Sequence, residues 1–154
     1  MMKNILPIEN ITYKSSLSHN EVYNRLVSII RTDKTYIGGW TNNTFKIKRN
    51  INYRNSFLPQ IKGEICREKN ETLIIVKMTL PPAILVFVLF WLIFASFACV
   101  LSINTMIMDG FEVFYLVPFG MLLFGYILVF TAFKYESLRS KMDLLKIFEA
   151  DVLK

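Results

Sequence analysis

Three rhythms of apolar residues follow one another along the chain. Short alternating runs fill the first half, two unbroken apolar blocks come next, and a helical stripe closes the sequence. The run ITYKSSL (11–17) is rich in β-branched and aromatic residues and predicts a strand. Ser18 stands three residues before Glu21, the spacing of a capping box. Val22, Leu26, Ile29 and Ile30 then recur at helical intervals, which predicts an amphipathic helix over 19–31. Gly38-Gly39 and Asn42-Asn43 break the chain, with room for a short strand near Tyr36. TFKIKRNINY (44–53) alternates, with Phe45, Ile47, Ile51 and Tyr53 on one side and Lys46 and Lys48 on the other. IKGEICRE (61–68) and TLIIVKMTL (72–80) read as a β-hairpin closed by a tight turn at Lys69-Asn70-Glu71.

The rhythm then changes. Residues 83–103 and 113–133 are two blocks of equal length without one charged side chain. At 1.5 Å per residue each spans roughly 30 Å, the thickness of a bilayer's hydrocarbon core. A soluble core would need far more chain to enclose two such helices. The expectation is an antiparallel transmembrane hairpin joined by a short external loop, 104–112. Residues 134–154 carry Leu138, Met142, Leu145, Phe148 and Val152 at helical spacing, widened by Leu144 and Ile147. That predicts an amphipathic helix to the end of the chain, packed on the domain's own sheet.

The fold class expected is therefore an α+β membrane protein. A small domain, 1–80, runs strand, helix and three antiparallel strands. Two spans and a C-terminal amphipathic helix follow. Charge sets the orientation. The first 80 residues hold thirteen basic and six acidic side chains, while the loop between the spans holds Asp109 and Glu112 and no Lys or Arg. The positive-inside rule then places both termini in the cytoplasm. Three triplets, at Asn10, Asn42 and Asn70, match the glycosylation sequon. The one-sided charge argues that they are coincidental.

Chemistry is sparse. His19 sits beside the helix cap, and Cys66 and Cys99 fall in different compartments, so neither a zinc site nor a disulfide framework forms. No phosphate loop, zincin or nucleophile-elbow motif occurs, which points away from an enzyme, and no cofactor or metal is implied. A cryptic activity on lipid headgroups would have to use Glu64 or Glu68. The spans contain no ionisable group, which weighs against a transporter. Ala95, Ala98, Cys99 and Ser102 place small side chains on one helical face, opposite Gly120, where backbones can approach or hairpins self-associate. Lys46, Lys48, Arg49, Arg54 and Lys62 form a basic group suited to an anionic ligand or lipid headgroups. Aromatic residues do not interleave with these charges, so nucleic acid is a poor partner.

The outline is typical of small bacterial inner-membrane proteins, and no motif attaches it to a named family. The leading expectation is a non-enzymatic integral inner-membrane protein that displays a basic binding domain at the cytoplasmic face. One alternative is a ligand-responsive effector whose hairpins oligomerise and perturb the bilayer. Another is an immunity-type protein whose partner is a toxin.

Overall fold

The computed structural model describes residues 7–68 and 71–153. The chain forms two compact units. One comprises the chain up to Pro81 together with the stretch from Phe133 onward, and the other is Pro82–Ala132.

The first unit is built on β1 (Ile8–Ser15), α1 (His19–Arg31), β2 (Tyr36–Trp40), β3 (Thr44–Arg49), β4 (Gln60–Glu68) and β5 (Glu71–Thr79). The helix begins where the capping box predicts. The Ser18 side chain accepts from the Glu21 backbone N–H, and the Glu21 carboxylate accepts from the Ser18 N–H at 2.8 Å. All strand pairs are antiparallel, in the order β2-β3-β4-β5-β1-β6. The sheet is open, with β2 and β6 as its edges. Because β1 and β2 lie four positions apart, the chain must cross the sheet between them, and α1 makes that crossing. Its Val22, Leu26 and Ile29 are buried. Phe45, Ile47, Ile61, Ile65, Ile74 and Val76 of the sheet are buried as well. Trp40 ties edge strand β2 to the helix: its indole N–H donates to the Tyr23 hydroxyl at 3.1 Å, and the Arg31 guanidinium lies 5.2 Å from its ring.

The four expected strands, with room for a fifth near Tyr36, thus become six. The tight turn expected at Lys69-Asn70-Glu71 lies partly outside the described residues. Strand β3 is shorter than the alternation over 44–53 suggests, and Tyr53 is exposed beyond its end.

The tail corrects a further expectation. Residues 134–154 do not form a separate helix running to the C-terminus. They begin inside α3 (Val117–Ile147), which ends before β6 (Ala150–Leu153). Glu149 adopts a left-handed conformation, φ 43°, which turns the chain. β6 then pairs with Thr12–Ser15 of β1. The unsatisfied backbone edge of β1 is the reason: pairing there outweighs a last helical turn whose carbonyls would have no partner. The packed face of this part of α3 is only partly the one expected. Leu144 of the expected stripe is buried, together with Phe133, Glu136, Ser137 and Ser140, whereas Leu138 and Met142 are exposed. Phe148, just past the helix, packs its ring 6.3 Å from that of Phe45.

The second unit is a helical hairpin. α2 (Pro82–Asp109) runs six residues past the expected end of the first apolar block, which shortens the expected loop. Gly110, at φ 92°, ends it, a conformation that glycine adopts without strain. A single 3₁₀ turn, Val113–Leu116, leads into α3, and Pro118 falls in the first turn of that helix, where its missing N–H costs nothing. Helix α2 and the stretch from Val113 to Ile147 are both long and apolar enough to cross a membrane. Their most apolar windows, with mean hydropathies of 2.9 and 2.2, are only 11% and 0% buried.

Candidate functional site

The pleat of the sheet sorts the basic residues. Inward positions of β3, β4 and β5 carry the apolar core, so the residues between them point outward. Lys46 pairs directly with Lys62, and Lys62 with Lys77. Gly39 continues this row at one end and Asn10 at the other. Three lysines therefore stand side by side across three strands, about 4.8 Å from one strand to the next. Lys48 stands on the same face two residues along β3, opposite Ile37. These residues line an open depression of about 1080 Å³, with Ile37 and Ile75 as its exposed apolar rim. Among the described residues none of Lys46, Lys48, Lys62 and Lys77 has a carboxylate within 4 Å. Like charges set directly opposite one another repel, so the row carries a standing electrostatic cost that an anion would relieve.

The predicted basic group is only partly brought together. Lys46, Lys48 and Lys62 share the outer face. Arg49, one residue after Lys48, is turned inward by the strand alternation. Its Nη1 donates to Glu136 Oε2 at 3.3 Å and its Nε lies 3.2 Å from Asp143 Oδ2. Glu136 is almost fully buried and also accepts from the Tyr53 hydroxyl and the Asn55 amide, each at 2.9 Å. The hydrogen bond to Glu136, then burial, raises the Tyr53 hydroxyl above its ordinary pKa. This cluster fastens the segment after β3 to α3 and leaves Arg49 no freedom to take a ligand. Arg54 is exposed in that segment, away from the lysine row. Lys77, which the sequence did not mark as a site residue, is the third member of the row. Its position depends on the hairpin register: Glu68 pairs with Glu71, leaving two residues between them, and this puts Lys62 opposite Lys77. A three-residue turn would have put Met78 there.

A second acidic contact lies under the sheet. Glu9 accepts from Lys134 Nζ at 2.9 Å and from the Ser137 hydroxyl. Burial pushes the Glu9 carboxyl up, but the Ser137 hydrogen bond and the Lys134 and Lys141 charges outweigh it, so its pKa lies below the ordinary value.

His19, Cys66, Arg67 and Glu71 border a smaller depression of about 720 Å³. Burial, and then the charge of Glu64, push the Cys66 thiol up, the opposite of what a nucleophilic thiolate requires. Among the described residues no three His, Cys, Asp or Glu side chains gather as a metal-binding group.

In the hairpin, Ala95 and Cys99 are the buried residues of α2, flanked by half-buried Ala98 and Ser102. Gly120 is different: a side chain there would meet open space. Within the hairpin the half-buried positions of α3 are Pro118, Leu122, Gly125, Val129, Phe130 and Ala132, and residue 120 is not among them. Gly125 takes the close-packed place, where a Cβ would overlap the Trp91 indole.

No protein-family model, curated protein or solved structure matches this chain.

Proposed function

We propose that the protein is a non-enzymatic integral membrane protein, of the bacterial inner-membrane type with both termini cytoplasmic, that binds a phosphate-bearing anion on the outer face of its sheet. The single observation that carries the binding site is the Lys46–Lys62–Lys77 row. Two lysines elsewhere in the unit are paired with carboxylates, Lys14 with Glu71 at 2.7 Å and Lys134 with Glu9. The three in the row face one another and an open depression instead. The membrane reading is supported by the two uncovered apolar helices and the basic bias of the flanking chain.

The same ligand chemistry has two sources, a soluble phosphorylated molecule or an anionic headgroup. The test uses the full chain in phosphatidylcholine nanodiscs. Sodium tripolyphosphate is titrated by calorimetry in one arm. In the other, phosphatidylglycerol replaces part of the lipid and protection of the lysines from acylation is read. Binding by the native chain that is lost in the Lys46→Gln, Lys62→Gln, Lys77→Gln variant supports the site and identifies the source. Equal behaviour of the two chains in both arms refutes it. Extraction of the chain from native membranes by alkaline carbonate would refute the membrane reading separately.

A further inference from the structure

On α3, the face opposite the buried side chains carries Tyr135, Leu138 and Met142, which are 57%, 45% and 54% exposed. These three, with half-buried Leu145, follow one another at three- and four-residue intervals and form a continuous apolar stripe. The stripe cannot use the domain's own sheet, because Phe133, Ser137, Ser140 and Leu144 occupy that contact from the other side of the helix. Basic residues run along both margins, Arg139 and Lys146 on one and Lys134 and Lys141 on the other. Of these only Lys134 has a carboxylate within 4 Å among the described residues. The Arg139 guanidinium lies 4.6 Å from the Tyr135 ring. Two copies joined along this stripe would bring basic margin against basic margin, which disfavours a second copy as the occupant.

We infer that the first turn of this stripe docks in the anionic headgroup layer of the bilayer, with Tyr135 next to the acyl boundary, Leu138 and Arg139 at the level of the lipid phosphates, and the Lys141 side chain reaching back to them. The inference rests on the membrane reading proposed above. Lys134 is the first charged residue after the second apolar block, so α3 enters the headgroup layer there. That layer adds roughly 5–8 Å on each side of the hydrocarbon core. Leu138 is four residues further along, about 6 Å of helix. A tyrosine flanked by long basic side chains is the composition found at such boundaries, where aliphatic stems lie along acyl chains and charges reach the phosphates.

The experiment places single fluorophores, by Leu138→Cys, Ile93→Cys or Asn20→Cys in a Cys66→Ser, Cys99→Ser background, on the full chain. The chain is reconstituted in vesicles of phosphatidylcholine and phosphatidylglycerol. Nitroxide quenchers are attached to lipid headgroups or to mid-chain carbons. The expected result is strong headgroup quenching at position 138, chain quenching at 93 and none at 20. Quenching at 138 should weaken in the Arg139→Gln, Lys141→Gln variant and in vesicles of phosphatidylcholine alone. If position 93 is quenched and 138 behaves like 20, the stripe does not dock and the inference fails alone. If 93 is not quenched, the membrane reading fails and takes the inference with it. Self-quenching between labels at 138 would identify a second copy as the occupant and overturn it.

Discussion

Arg49 holds the buried Glu136 through Nη1 at 3.3 Å while its Nε reaches the half-buried Asp143. The pair joins the end of β3 to α3, 87 residues away in sequence. Removing one partner of a buried ion pair leaves the other uncompensated, typically at a cost of about 3–5 kcal/mol. Arg49→Ala should lose that much stability, since Glu136 would remain buried. Glu136→Gln should lose less, because the amide still accepts from Tyr53 or Asn55. Urea unfolding of the detergent-solubilised chain, followed by circular dichroism, measures both. Equal, small losses would show that the cluster contributes little.

Glu9 gives a pH prediction with a definite sign. Its carboxyl titrates below the ordinary value of 4.5 in the folded chain. The stability it contributes is fully present above that value and is lost as the pH falls through the lowered one. Melting temperature should therefore drop as the pH is taken from about 5 toward 3, and Glu9→Gln should flatten the drop. Glu21, also lowered by the Ser18 cap, leaves a residual slope that Glu9→Gln, Glu21→Gln should remove. A Glu9→Gln chain with an unchanged pH profile would refute the assignment.

Much of this architecture is legible from local pattern. α1 begins and ends where the Ser18–Glu21 spacing and the Val22, Leu26, Ile29 series place it, because caps and amphipathic periods are properties of neighbouring residues. The two apolar helices are legible for the same reason. β6 is not, since Ala150–Leu153 becomes a strand only because β1 offers an edge 135 residues or more away in sequence. Lys48 and Arg49 read as one basic group until the strand alternation separates them. Lys77 joins the row only through a register that one extra turn residue would shift. Glu136, between Tyr135 and Ser137, reads as an ordinary surface charge; its partners come from the far end of the fold.

Three buried hydroxyls lack a partner among the described residues: those of Tyr13, Tyr36 and Ser140. The Ser15 hydroxyl, equally buried, donates to the Phe148 carbonyl at 2.6 Å. An unpaired buried hydroxyl costs stability, and a paired one leaves its acceptor stranded when removed. Tyr36→Phe should therefore be neutral or stabilising by about 1 kcal/mol, while Ser15→Ala should cost about 1–3 kcal/mol. Paired thermal melts of the two variants test the contrast. A loss on Tyr36→Phe as large as that on Ser15→Ala would mean that Tyr36 holds a water the protein needs.

The hairpin offers a contrast between two glycines of one helix. Gly125 lies under the Trp91 indole, and Gly120 faces open space. Gly125→Leu must displace that ring and should cost roughly 1–3 kcal/mol, the usual range for overpacking. Gly120→Leu should be tolerated. Protease resistance of the two variants in vesicles separates the outcomes, and equal sensitivity would contradict this packing of α3 on α2.

Lys62 stands between Lys46 and Lys77 and repels both. Each directly opposed like-charge pair costs a fraction of a kcal/mol, so Lys62→Gln should stabilise the chain by roughly 0.5–1 kcal/mol at low salt. Salt near 1 M shortens the screening length to about 3 Å and should erase most of the gain. The same change should weaken tripolyphosphate binding, because it removes the central member of the row. Stability and affinity would then move in opposite directions in one variant, the mark of charges retained for a ligand at some cost to the fold. If Lys62→Gln destabilises the chain instead, the row is stabilised by something other than an absent anion, and the lysines belong to the architecture of the sheet.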